Sequence, residues 1–294
     1  MYRVLLVDVD SKIQNLALMQ ISAYHKAQGD IVGFGVANPD LVYISCVFSK
    51  NASQARGIAK LYPNATVKLG GSGLSYEWLP KEMQKLKPDY DLYPYTQVSI
   101  GFTTRGCIRV CPFCIVPQKE GKLHRWQHIK EFYDDRFDSV MLLDNNIYAD
   151  KEWFFDNTQF AIENKLRLNI SQGMDIRLLD EEIALRLKEL RWMGQIRFAF
   201  DNMGDEQAVK RGVEILREAG IRVRSNVELY VLVGYNTTPE EDKYRCRLLK
   251  KLGTNPFVMK YVSNNWTNRI AWWANRKQAF WSFDIDEYDH RRHT

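Results

Sequence analysis

The sequence predicts an α/β protein in which a small Rossmann-like parallel α/β domain precedes a partial (β/α)6 TIM-like barrel. Three observations carry that expectation. Short apolar runs alternate with segments of helical apolar spacing, the pattern of parallel strands joined by crossover helices. The strand–helix rhythm recurs six times between residues 97 and 262, enough for most of a barrel. Pro80, Pro88 and Pro94, with the polar, tyrosine-rich stretch at 85–95, mark a linker before it.

Residues 1–95 are expected to form the first domain. Residues 3–7 (RVLLV) have the pattern of a short buried strand. Ile13, Leu16, Ala17, Met19 and Gln20 then follow in a segment of roughly helical spacing that ends near Gly29. Strands are predicted at 31–36 and 41–48, and a helix at 53–61 closed by Pro63. A fourth strand at 66–69 runs into Gly70-Gly71-Ser72-Gly73. That cluster suggests a phosphate cradle, but its spacing is not Gly-x-Gly-x-x-Gly and it follows a late strand. A turn needing positive φ is the simpler reading.

The barrel is expected over residues 96–262, with strands at 97–102, 139–143, 167–171, 195–200, 223–233 and 257–262. Asp180 precedes a helix carrying Ile183, Leu187 and Leu190 on one face. Asp205 opens another carrying Val209, Val213 and Leu216, stopped by Gly220. Thr238-Pro239-Glu240-Glu241 is a capping box with proline at the first helical position. In such barrels the carboxyl ends of the strands carry the site. Those ends supply Asp144-Asn145-Asn146, the run from Gln172 through Asp175 to Arg177, Asp201-Asn202, and Gly234. One register repeated at several strand ends points to one shared mouth.

Residues 263–294 form a basic, aromatic extension. Trp266, Trp272, Trp273, Phe280, Trp281 and Phe283 interleave with Arg269, Arg276, Lys277, Arg291 and Arg292. Such a mixture can bind nucleic acid. Packing over the barrel is favoured, because burial is the usual fate of tryptophan.

The net charge of +5 permits nucleic acid without demanding it. No apolar run approaches a membrane span, and none has the length of a secretory core, so a cytoplasmic protein is expected. The five cysteines make no even framework. Three of them lie within eight residues, which favours a reduced, metal-binding protein over a disulfide-stapled one.

Cys107, Cys111 and Cys114 follow the first barrel strand. Gly106 and Pro112 disfavour a continuous helix, leaving a loop free to curl round a metal centre. Thiolates suit zinc, Cu(I) or iron–sulfur clusters. Three without an obvious fourth leave one coordination position open, as in a catalytic site. Cys46 and Cys246 read as small hydrophobes.

The pattern Cys107-x-x-x-Cys111-x-Phe113-Cys114 resembles the signature of the radical S-adenosylmethionine superfamily. The resemblance covers residues 96–260. Residues 1–95 are more loosely similar to the cobalamin-binding-like domain of one branch, and Tyr230-Val231-Leu232-Val233-Gly234 to that branch's fifth-strand pattern. The resemblance implies a 4Fe–4S cluster on the three cysteines, its unique iron chelating the amino and carboxylate groups of S-adenosylmethionine. Reductive cleavage would yield methionine and a 5′-deoxyadenosyl radical that abstracts hydrogen from a substrate.

Site roles follow from the same resemblance. Phe113 would lie near the adenine, and Gly234 would allow its close approach. Asp144, Asn145 and Asn146 stand where the family has a Gly-Gly-Glu segment that meets the methionine amino group, a departure from the pattern. Asp201 and Asn202 would meet the ribose hydroxyls. Gln172, Asp175 and Arg177 would meet the carboxylate or the substrate. A reductant such as flavodoxin or ferredoxin is implied; the substrate is not. Cobalamin is left open, because Asp8 is followed by Asp10 and Ile13 and lacks the family's histidine and glycine. Two other readings stand beside this one. One is a zinc protein with His124 as fourth ligand, the other a nucleic-acid-binding or -modifying protein using the C-terminal extension.

Overall fold

The computed structural model describes residues 1–288. Its first sheet holds β1 (Arg3–Asp8), β2 (Ile31–Gly33), β3 (Leu41–Ser45) and β4 (Thr66–Gly70), all parallel, in the order β2-β1-β3-β4. Period-two alternation sends Val4 and Leu6 to one face and Leu5 to the other. The first pair packs with Leu18 and Met19 of α1 (Leu16–Ala27), while Leu5 meets Ala55 of α2 (Ala52–Ala59). Covered on both faces, β1 reads as an unbroken apolar run. Strands β2 and β3 stop earlier than predicted, because the chain turns at Phe34-Gly35 and again after Ser45. Asn15 caps α1, accepting from the Leu18 amide at 3.2 Å.

The stretch read as a linker is not loose. Met83, Tyr90 and Leu92 are buried in the same cluster as Val4, Tyr43 and Ile100. The Tyr90 hydroxyl accepts from the Ile100 amide (3.1 Å) and donates to the Phe132 carbonyl (2.7 Å). Proline spacing marks irregular backbone and says nothing of burial.

The second unit runs β5 (Ser99–Gly101), β6 (Thr104–Arg105), α3 (Val116–Lys119), β7 (His124–Arg125), α4 (Ile129–Phe132), β8 (Ser139–Leu142), α5 (Lys151–Glu163) and β9 (Arg167–Ile170). It continues through α6 (Glu181–Glu189), β10 (Arg191–Trp192), β11 (Ile196–Ala199), α7 (Glu206–Glu218), α8 (Val223–Asn226), β12 (Val227–Val233), α9 (Pro239–Lys251) and β13 (Asn255–Lys260). Parallel pairing gives β5-β8-β9-β10 and β11-β12-β13. One bridge, Met174 with Phe198, joins the two sets: the Met174 amide donates to Arg197 at 2.8 Å and Ala199 donates back at 3.1 Å. Among the described residues no pairing joins β5 to β13.

All six predicted barrel strands are present; most have trimmed ends, while the sixth, expected at 257–262, is shifted two residues back to Asn255–Lys260. The 223–233 segment needs correction: Val223–Asn226 is a helical turn that buries Val223, and only Val227–Val233 is strand. Asp180 caps α6 through the Ile183 amide (2.8 Å), and the Thr238–Glu241 capping box is formed. Asp205 opens α7 without capping it; its carboxylate is taken by Arg177 and Asn202.

The extension forms α10 (Asn265–Ala274) and α11 (Lys277–Ser282), with Trp273 and Phe280 fully buried. Trp281 donates to Asn255 (3.0 Å) and Arg269 to the Ile285 carbonyl (2.8 Å). Trp272 stays exposed, with the Arg276 guanidinium 4.6 Å from its ring. Arg291 and Arg292 lie outside the described residues. No described helix is long and apolar enough to cross a membrane.

Candidate metal centre

The loop from Gly106 to Val116 leaves the carboxyl end of β5 through the short ribbon of β6 and β7. Gly106 turns it at φ +76°, where a Cβ would collide with the Lys122 carbonyl. Only glycine fits there. Buried Glu120 fastens the base of the loop: one oxygen accepts from Arg105 Nε (3.0 Å), the Gly106 amide (3.0 Å) and Asn145 Nδ2 (2.8 Å). Arg109, between the first two cysteines, reaches Asp175 beyond β9 at 2.9 Å. Asp175 also holds Arg177, whose other arm meets Asp205. The two arginines outweigh burial and keep the Asp175 carboxyl below its usual range. The loop is thus tied to three strand ends.

All three cysteines are free and partly buried. Backbone amides face two sulfurs, Arg109 N at 3.4 Å from Cys107 Sγ and Val116 N at 3.5 Å from Cys114 Sγ. Burial pushes the Cys111 and Cys114 thiols up, and each also feels neighbouring cysteines and Asp201. Metal binding would take the thiolate form. Among the described residues no three His, Cys, Asp or Glu side chains converge as a single-ion site. His124 is exposed on β7 with Nδ1 3.0 Å from the Lys122 carbonyl.

The strand-end residues divide. Asn146 is buried beside the loop, with Nδ2 3.9 Å from Cys107 Sγ and Oδ1 buried without a partner. Buried polar atoms ordinarily find a bond, so this oxygen is free to accept from a donor outside the chain. Asp144, expected at the methionine amino group, is engaged otherwise: its carboxylate accepts from the amides and hydroxyls of Thr103 and Thr104. Burial pushes its carboxyl up, and those donors pull it back. Gln172 is exposed and makes only a 3.5 Å contact with Ser171. Asn202 donates to Asp205 at 2.7 Å. Gly234 has φ +77°, and a Cβ there would meet Thr267 and Val262, so its own chain already requires glycine.

Asp201 accepts from the Leu232 amide (3.2 Å), and burial pushes its carboxyl up to about 6 from 3.8. A group with a raised folded value contributes stability in its protonated form. That contribution is full below 3.8 and is lost as pH rises through about 6. Asp201→Asn is therefore expected to stabilise the protein at about pH 8 by about 2 kcal/mol, and by almost nothing at about pH 4. Thermal unfolding at the two pH values checks the sign.

Three features escaped the sequence reading. Glu120 and Arg109 were given no role there. Phe113 stands edge-on to Tyr235 (5.4 Å between centroids), which stands edge-on to Tyr261 (4.6 Å), an aromatic row beside the cysteines. A groove of about 530 Å³ among Lys151, Asp180, Arg211 and Glu214 contains none of these residues.

No family model matches the sequence, and no curated protein matches it. Among solved structures, the chain is similar to a radical S-adenosylmethionine methyltransferase, TsrM, from Kitasatospora setae, solved with cobalamin and a 4Fe–4S cluster bound. The TM-score is 0.69 at 14% identity, over 88% of this chain and 75% of that one. Methylornithine synthase (PylB) aligns at a TM-score of 0.42 and 16% identity, over 57% of this chain and 54% of that one. The first likeness spans most of both chains and establishes the fold this chain shares with that enzyme; the second adds nothing to it.

Proposed function

We propose that this protein is a radical S-adenosylmethionine enzyme whose 4Fe–4S cluster is held by Cys107, Cys111 and Cys114. The observation that carries the reading is three free cysteines on one braced loop at the carboxyl mouth of a partial βα barrel. Bound there, the cluster would supply one electron for reductive cleavage of S-adenosylmethionine, which makes hydrogen abstraction available.

The chain's own residues would bind, orient and shield. The three thiolates would hold three irons of the cluster, leaving the fourth open. Asn146 fits beside them: its amide N–H points toward Cys107 sulfur, and its unpartnered oxygen suits a donor such as an ammonium group. Glu120 and the Arg109–Asp175 pair fix the loop before any ligand arrives. Ionised Asp201 would accept from ribose hydroxyls, with Asn202 beside it. Phe113 and Tyr235 would wall the mouth against water. A small reducing protein, flavodoxin- or ferredoxin-like, would be the electron donor.

Anaerobic reconstitution with iron and sulfide tests the proposal. About four irons and four sulfides per chain are expected, with 5′-deoxyadenosine released on reduction in the presence of S-adenosylmethionine. Stoichiometric zinc in protein purified without oxygen, and no 5′-deoxyadenosine after reconstitution, would sink it.

A further inference from the structure

In an open parallel sheet, ligands enter the crevice at the carboxyl ends of the strands where the order reverses. In the first sheet that point lies between β1 and β3, so the residues after Asp8, Ser45 and Gly70 should line a cofactor cleft. They bond to one another instead. Asp10, after β1, accepts from the Val47 amide (2.7 Å), the Phe48 amide (3.0 Å) and Asn51 Nδ2 (2.9 Å), all after β3. Backbone amides at the start of a helical turn are where an incoming anion would sit; here the chain's own carboxylate takes the place. Burial pushes that carboxyl up, but the bonds from Val47, Asn51 and Phe48 prevail and hold it below the usual range.

The third loop closes on the second. Gly73 donates to the Cys46 carbonyl (3.0 Å) and Cys46 to the Gly70 carbonyl (3.0 Å). Gly71 and Gly73 press so tightly on the Cys46 and Phe48 backbones that neither has room for a Cβ. Other polar groups here are engaged too. Tyr93 donates to Asp8 (2.7 Å), and Asn15 Nδ2 donates to Ser45 (2.8 Å) and Ser11 (3.0 Å). A shallow groove of about 470 Å³ lies at this end, between residues 11–14 and 93–98.

We propose that the first sheet's crevice is closed by Asp10 and the two loops it joins, so that it does not accept cobalamin and serves as a fixed buttress for the barrel. The residues present do not fit that cofactor. The inference does not rest on the cluster, whose iron content and 5′-deoxyadenosine release are read separately.

The test is retention of hydroxocobalamin by the full-length, reconstituted protein through desalting, read from corrinoid absorbance. Loss of essentially all the corrinoid is expected. Near-stoichiometric retention overturns the proposal, whether or not the cluster forms. Asp10→Ala is expected to lower the unfolding midpoint by several degrees while leaving iron content unchanged. An unchanged midpoint also overturns it, because Asp10 would then close nothing. If the alanine variant does not fold, Asp10→Asn, which keeps an acceptor oxygen, is expected to show a smaller drop of the same sign.

Discussion

Cys107→Ala is expected to reduce iron incorporation from about four atoms per chain to a trace and to abolish 5′-deoxyadenosine release. The same is expected of Cys111→Ala and Cys114→Ala. Two thiolates do not anchor a cubane that needs three, so the effect is all-or-none. The apo fold should not change. The loop is held by Gly106, Glu120 and Arg109 through bonds that involve no cysteine side chain. Iron analysis beside thermal unfolding of the apo variants separates the two effects. A large fall in the apo midpoint would mean that the cysteines are structural.

Asp144→Ala is expected to have the largest effect on stability of any change near the site. Thr103 and Thr104 are fully buried, and their two amides and two hydroxyls all donate to this carboxylate. Removing it strands those donors in a dry interior. At about 1–3 kcal/mol for each unsatisfied buried group, partly offset by relaxation, the loss should be about 3–5 kcal/mol. For a chain of this size the midpoint should fall by on the order of 10 °C. Cluster incorporation should fall with it, since Thr103 and Thr104 lead directly into Arg105 and the cysteine loop. Asp144→Asn keeps an acceptor but turns an amide donor toward other donors, and should recover only part. Calorimetry and iron content read both consequences.

Much of this was legible in the sequence because it is local. The strands of both sheets are short apolar runs, and the caps at Asp180 and Thr238 sit within three residues of the amides they meet. The cysteine loop announces itself by spacing alone. What the sequence concealed is pairing across distance. Arg109 and Asp175 are 66 residues apart, and Asp10 and Phe48 are 38 apart. Nothing in the local pattern around Asp10 distinguishes a plug from a solvated turn. Asp144 likewise bonds across distance, to Thr103 and Thr104, 41 and 40 residues earlier. The same holds for Gly234, where the atoms a Cβ would meet belong to Val262 and Thr267.

The central claim is that three cysteines leave one iron open to S-adenosylmethionine. The most direct measurement is electron paramagnetic resonance of the reconstituted, reduced protein before and after S-adenosylmethionine is added. A single-cluster signal whose g-values shift on addition is the result expected, because the ligand would bind the open iron itself. A signal that S-adenosylmethionine leaves unchanged, or no iron–sulfur signal in folded protein, would contradict the account.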